Sequence, residues 1–261
     1  MKKILLASTI LVGTAGFAAA EVSFSGSAFM GVEKNPALAN WAAKSSVSVD
    51  VAMSGETDGG LMFGADFTGI GTGALANSAS STITTFSGIW SGYSVWISGD
   101  FGKVSLETTF TGATMSLTYS HTIDAFSIDV GYNITTPAWD VELGYDFGDY
   151  SVYIGHNTGS GDTRLGGEST FGDFTAGVDL VNDSSVPELD WDISVGWSSG
   201  AISIDAALGA DASAIGAGDY SFDLDFAYDL GGGASVIAEY SDPDSGAAND
   251  ETITLGVSMD L

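Results

Sequence analysis

The chain has 261 residues, a formal net charge of −28 and an apolar fraction of 44%. So few basic side chains exclude nucleic-acid binding through phosphate contacts, because such binding needs lysine and arginine. The high apolar content excludes a disordered acidic tail, and the absence of cysteine excludes a disulfide framework.

The first twenty residues have the three parts of a secretory signal peptide. Lys2 and Lys3 supply the positive start, residues 4–12 are apolar, and the alanines at 18–20 fit a cleavage site. We therefore expect cleavage before Glu21 and a mature chain, 21–261, that forms one barrel domain. An amino-terminal membrane helix is the alternative, and the shortness of the apolar segment disfavours it.

The mature chain repeats one pattern, in which apolar side chains alternate with small or acidic ones. This period of two is typical of strands with one apolar and one polar face. The clearest example is 139–157, where two alternating segments flank Gly148-Asp149 and predict a hairpin. The predicted strands are 22–32, 44–54, 61–68, 93–99, 104–110, 113–120, 126–134, 139–147, 150–157, 163–171, 174–181, 189–197, 201–208, 220–230, 234–240 and 251–261.

Short glycine-containing turns alternate with longer polar connections between these strands. We expect turns at Asp100–Lys103 and His121–Ala125, and a long loop over 69–91. Within that loop, Thr82–Trp90 is either an extra strand or an extension of the next one. An even number of strands with short turns at one end and loops at the other predicts a closed barrel with both chain ends at the short-turn end.

The two faces of the strands indicate what the barrel is in contact with. A soluble exported β-sandwich would bury the apolar face in a core, whereas a membrane barrel turns it to lipid. Aromatic residues gather near the short turns (Phe147, Tyr150) and near the long loops (Trp139, Trp191), as two interfacial belts would. The sequence therefore predicts an all-β protein, a transmembrane antiparallel β-barrel of about sixteen strands with short periplasmic turns and longer extracellular loops.

The charged residues fall almost entirely on the polar face, which is expected to line the interior. Two basic residues, Lys44 and Arg164, are predicted to share this face. The acidic residues predicted to line it are Asp50, Asp66, Glu107, Asp129, Asp140, Glu142, Asp146, Asp179, Asp190, Asp192, Asp205, Asp223, Asp225 and Asp229.

Four segments resemble the general porins of alphaproteobacteria: EVSFSGSAFMGVE (21–33), MSGETDGGLMFGADF (53–67), TFGDFTAG (170–177) and YDLGGGASVIAEYSD (228–242). The resemblance implies a sixteen-stranded, homotrimeric outer-membrane barrel that passes small hydrophilic solutes. In such porins a long loop after the fifth strand folds into the lumen and faces a cluster of basic residues. Here that connection is only Thr111–Ala113, the basic cluster is nearly absent, and Leu261 stands where an aromatic residue is usual.

Other chemistry has little support in the sequence. His121 and His156 have no neighbouring His or Cys at metal-ligand spacing, so a metal site or a Ser-His-Asp hydrolase is not favoured. The glycines at 69–73 lack the lysine of a phosphate loop. The carboxylates Asp242, Asp244, Asp250 and Glu251 bracket one loop and are weak candidates for Ca²⁺, although a solvated outer loop explains them better. Paired carboxylates such as Asp140 and Glu142 have the residue types of a glycosidase. They stand on the same face of one predicted strand, however, so we expect them to line the pore.

The resulting prediction is a non-enzymatic diffusion channel with no cofactor. The excess of acids on the polar face predicts a preference for cations. The expected partners are outer-membrane lipid, small polar solutes and cations. The alternative is a structural or adhesion-type outer-membrane barrel with little transport.

Overall fold

The computed structural model describes residues 21–36, 40–75, 91–110, 113–185, 189–210, 220–243 and 251–261. Sixteen antiparallel strands pair in sequence order, and the first pairs with the last, so the sheet closes on itself. The prediction of an all-β, sixteen-stranded barrel is confirmed. The predicted signal peptide (1–20) and the segment Thr82–Trp90 lie outside the described residues.

The strands are longest at the amino-terminal side of the barrel, where the first three have 14 or 15 residues. They are β1 (Glu21–Lys34), β2 (Ala42–Glu56), β3 (Met62–Leu75), β4 (Gly92–Gly99), β5 (Gly102–Thr109), β6 (Thr114–Ile123), β7 (Phe126–Asn133), β8 (Ala138–Asp146), β9 (Tyr150–Asn157), β10 (Thr163–Phe171), β11 (Phe174–Asn182), β12 (Asp190–Ser199), β13 (Ile202–Ala210), β14 (Ser221–Gly231), β15 (Ala234–Asp242) and β16 (Thr252–Asp260).

Three local predictions are wrong. Gly69 and the glycine-rich residues after it continue β3 and pair with β2, so they are strand and neither loop nor phosphate-binding turn. Glycine stands at 69, 71 and 73 in the sequence, where a strand would carry large apolar residues, so the apolar-polar contrast that identifies a strand is missing there. His121 lies in β6 and Lys103 in β5, because the turns before β7 and β5 are each shorter than expected.

The described part of the barrel has almost no apolar core. Among the residues whose side chains the structure describes, Ala42 is the only buried hydrophobic one. Large apolar side chains are instead exposed all round the barrel, including Phe24 at 72% and Met30 at 60%. A soluble sandwich would bury this face, so that alternative is wrong, whereas lipid would cover it.

The short turns lie at the end of the barrel where Glu21 begins β1 and Leu261 follows β16. In the β8–β9 turn, Gly148 has a positive φ of 97°, which a side chain would disfavour. The backbone N–H of Phe147 donates to the carbonyl of Tyr150 over 2.8 Å, and the two rings stack 4.8 Å apart. In the parts of the chain that the structure describes, no helix is long and apolar enough to cross a membrane.

Candidate functional site: the barrel interior

The strand register divides the side chains of the barrel into two faces. Directly opposed residues on antiparallel strands point to the same side of the sheet. We use the name polar face for the set that contains Lys103, Ser105 and Glu107 of β5 and every residue that the register pairs with them around the barrel. A cavity of about 680 Å³ lies against this face from β5 to β9, so the polar face looks into the barrel.

The register places every acidic residue of the predicted lining, together with Lys44 and Arg164, on the polar face. Several carboxylates are directly opposed across neighbouring strands. Asp179 of β11 faces Asp192 of β12. Asp205, Asp225 and Glu239 form a row across β13, β14 and β15.

Seven charged residues of the polar face are absent from the predicted lining. One is Lys103, which lines the cavity, and the other six, on the face by register, are Glu21, Glu33, Glu56, Glu168, Glu239 and Asp260. Glu168 and Glu239 could have been found by continuing the period of two along their strands. Glu33 was not found because the first strand was predicted to end at residue 32, and Lys103 was not found because the fifth was predicted to begin at residue 104.

Two of the three basic residues of the polar face, Lys44 and Arg164, form ion pairs with acids on other strands. Lys44 Nζ lies 2.6 Å from Glu33 Oε2. Arg164 of β10 reaches across β9 to β8, where Nη2 lies 3.2 Å from Asp140 Oδ1 and 3.0 Å from Glu142 Oε2. These contacts neutralise part of the charge on the β8–β10 side of the interior.

The opposite side of the interior has no such compensation. No lysine or arginine follows Arg164 in the sequence. On the polar face of strands β11 to β15, all the charged side chains are therefore carboxylates. The field inside the barrel is negative overall and strongest on this side.

Aromatic residues are rare on the polar face, and one of them binds an acid. The Trp96 Nε1–H donates to Asp66 Oδ2 over 2.9 Å, and the Ser94 hydroxyl donates to the same oxygen over 3.1 Å. The ammonium group of Lys103 lies 4.9 Å from the centre of a Trp96 ring. Asp66 is thus held against the sheet by two donors.

The connection between β5 and β6 is short. The first of these strands ends at Thr109 and β6 begins at Thr114, so four residues connect them. The Thr109 and Thr114 hydroxyls hydrogen-bond to each other, which draws the two strand ends together. Four residues are too few to form a loop that reaches far into the interior.

Comparison with known proteins decides the family. The family model described as Gram-negative porin matches residues 7–106 and 106–248. The chain belongs to this family. Variants of the Rh. blastica porin share its fold: a triple variant is 16% identical with a TM-score of 0.74, and a second variant is 15% identical with a TM-score of 0.75. Each comparison covers 92% of this porin and all of the other chain. No curated protein sequence matches it.

The residues considered for metal or hydrolytic chemistry do not form a site in the described part of this porin. His121 lies on the outer face beside the Tyr119 ring, and His156 shares a hydrogen bond of 2.9 Å with the Thr163 hydroxyl. Among the described residues, no group of three or more His, Cys, Asp and Glu has the geometry of a metal site. Of the weak Ca²⁺ candidates, Asp242 ends β15 and Glu251 precedes β16, while Asp244 and Asp250 lie outside the described residues.

Proposed function

We propose that this outer-membrane porin is a passive diffusion channel for small hydrophilic solutes and ions, with a preference for cations. The observation that carries the proposal is the polar face, on which acids far outnumber the three bases, Lys44, Lys103 and Arg164. Two of these bases pair with carboxylates, so they add little free positive charge. No binding step or cofactor is needed, because solutes move down their gradients through water.

Selectivity follows from the charge along the channel. The carboxylates of β11–β15 attract and stabilise cations in the channel, and they repel anions. The connection after β5 is too short to form a long inward loop, so in this proposal the charges of the lining itself supply the field. The named acids and bases of the polar face are, in this proposal, the lining of the channel.

Reconstitution into a planar bilayer tests the proposal. In a salt gradient the zero-current potential should have the sign of cation preference, and anion preference would contradict it. The preference should weaken from about 0.1 M to about 1 M salt, because the screening length falls from about 10 Å to about 3 Å. Correctly folded barrels that stay silent at high density would favour a structural or adhesion role.

Two further features belong to the same proposal. Residues 1–20 act as a signal peptide that is removed on export, and the mature barrel starts at Glu21. The barrel assembles as a homotrimer, as the porin resemblance implies. Mass spectrometry of the mature amino terminus tests the first, and the mass of the unheated detergent complex tests the second.

A further inference from the structure

Three aromatic side chains of the described strands lie on the polar face, and each of them covers a glycine. Tyr153 of β9 is directly opposed to Gly166 of β10, and Trp96 of β4 to Gly64 of β3. Phe29 of β1 covers Gly31, two residues along its own strand, and Gly256 of β16. A ring that projected towards the barrel axis would not approach these backbone positions, so the three rings lie flat against the sheet.

The rings take space that a Cβ atom would need at these glycines, and at Gly64 and Gly31 the backbone takes part of it as well. At Gly64 the Cβ would lie 2.5 Å from both Trp96 Cζ2 and the Met53 carbonyl oxygen. At Gly31 it would lie 2.7 Å from Phe29 Cζ, and the Leu255 carbonyl oxygen would be nearer still. At Gly166 all three nearest atoms belong to the Tyr153 side chain, among them Cε1 at 2.7 Å. Gly166 is buried although it faces a wide interior, because the tyrosine covers it.

The same arrangement holds for Arg164. Its side chain crosses Gly155 of β9 to reach Asp140 and Glu142 on β8. A Cβ at Gly155 would lie 2.6 Å from Arg164 Nε and 2.9 Å from its Cγ. Gly155 is also buried. Because residue 155 has no side chain, the guanidinium group can lie against β9 while it pairs with the two carboxylates of β8.

We propose that these glycines are positioning residues that keep the bulkiest lining side chains flat, and thereby set the open width of the channel. The proposal rests on the channel function proposed above. In a sheet, an aromatic ring over a cross-strand glycine packs on bare backbone and covers it from water. A methyl group at the glycine forces the ring to rotate away from the sheet and towards the interior.

The Tyr153–Gly166 pair gives the cleanest test, because a Cβ at Gly166 meets only a side chain. Gly166→Ala should lower the single-channel conductance and the largest neutral polymer that enters, while the ion preference keeps its sign. Gly131→Ala is the matched control: it adds the same methyl group to the polar face, but the nearest atom to that Cβ is Asp140 Cβ at 3.7 Å. It should reduce conductance far less. A conductance of Gly166→Ala equal to that of Gly131→Ala would overturn the proposal.

Two more variants keep the test decisive where Gly166→Ala fails to assemble. Tyr153→Ala leaves the glycine intact and should change conductance only slightly, because a flat ring occupies little of the channel. A large increase would mean that the ring projects inwards, and would refute the proposal. In Gly166→Ala/Tyr153→Ala no ring remains to be displaced, so conductance should recover from the single glycine variant.

A measurement without conduction separates this inference from the proposed function. In the folded wild-type barrel, NMR should find the Gly166 α-protons shifted upfield by the Tyr153 ring, and Tyr153→Leu should remove that shift. Absence of the shift in wild type overturns the packing, whether or not the barrel conducts. A silent barrel that shows the shift refutes the channel function and the control of its width, while the ring contact stands.

Gly155→Ala should affect ion preference, which Gly166→Ala should not. It should displace Arg164 from its two carboxylates, so that the zero-current potential moves as well as the conductance. Gly166→Ala should leave that potential nearly unchanged. Equal effects of both variants on the potential would contradict the assignment of Gly155 to the arginine.

Discussion

The ion pairs of Arg164 give the sharpest prediction about charge. Arg164→Gln removes the positive group that lies 3.2 Å from Asp140 and 3.0 Å from Glu142. The three side chains are 43%, 40% and 31% exposed, so solvent screens their attraction. Exposed pairs of this kind contribute roughly 1 kcal/mol or less to stability. The variant should therefore assemble and remain close to wild type in thermal stability.

The effect on ions should be larger than the effect on stability. The group formed by Arg164, Asp140 and Glu142 changes its net charge from −1 to −2 when the arginine is removed. A monovalent cation about 5 Å from the added charge gains roughly 0.8 kcal/mol in water, which is about a fourfold change in local cation occupancy. This is an upper value, because permeating ions also pass at greater distances.

The assay is the zero-current potential in a tenfold KCl gradient, recorded at low and at high mean salt concentration. Arg164→Gln should increase cation preference at low salt, and the increase should disappear near 1 M. Arg164→Lys keeps the charge and should stay near wild type. Lys34→Gln removes one charge from the outer face of β1 and should have little effect. An Arg164→Gln channel that conducts with wild-type ion preference would refute the placement of this charge beside the ion path.

The remaining predictions concern stability and one loop. Trp96→Phe removes the hydrogen-bond donor 2.9 Å from Asp66 and should lower stability by about 1 kcal/mol. The compact form of the barrel should then be lost at a lower temperature, as read from its mobility on gels after heating. An unchanged temperature would contradict the hydrogen bond. Gly148→Ala should cost about 1–2 kcal/mol, since φ is 97° and no atom lies within 4 Å of the new Cβ, whereas Gly148→Asn should cost less. Hydrogen bonds from the Ser185 side chain and backbone lower the pKa of Asp183 in the β11–β12 connection, so its contribution to stability is present above the ordinary pKa and is lost as pH falls through the lowered one. Ser185→Ala should raise that pKa towards its usual range in an NMR titration, and no change would argue against the contact.

The sequence predicted the architecture because the period of two is strict along most strands. Alternation shows which residues share a face, and strand register then places these residues around the barrel without further assumptions. This reasoning failed at Gly69 and the residues after it, where glycine at every second position removes the apolar-polar contrast. It also failed at Lys103, because the length of a tight turn decides where the next strand begins.

The contacts inside the barrel were beyond the reach of a sequence pattern. Arg164 finds its partners two strands away, which requires the register of β8, β9 and β10 and a glycine between them. The aromatic residues of the polar face break the alternation that the sequence reading relies on. Their packing on glycine becomes visible only when the opposed strands are known.

The closed order of the strands determines how the barrel holds together. Among the described residues, the backbone of each strand pairs only with its two neighbours, and no central core connects distant parts of the sheet. The seam between β1 and β16 joins residues from opposite ends of the chain, and there Gly26 and Leu261 exchange backbone hydrogen bonds of 3.2 and 2.8 Å. Until that seam forms, the sheet has two unpaired edges and every hairpin can separate from its neighbour. The stability of the barrel therefore depends on closure of the sheet, because pairing of β1 with β16 removes both free edges.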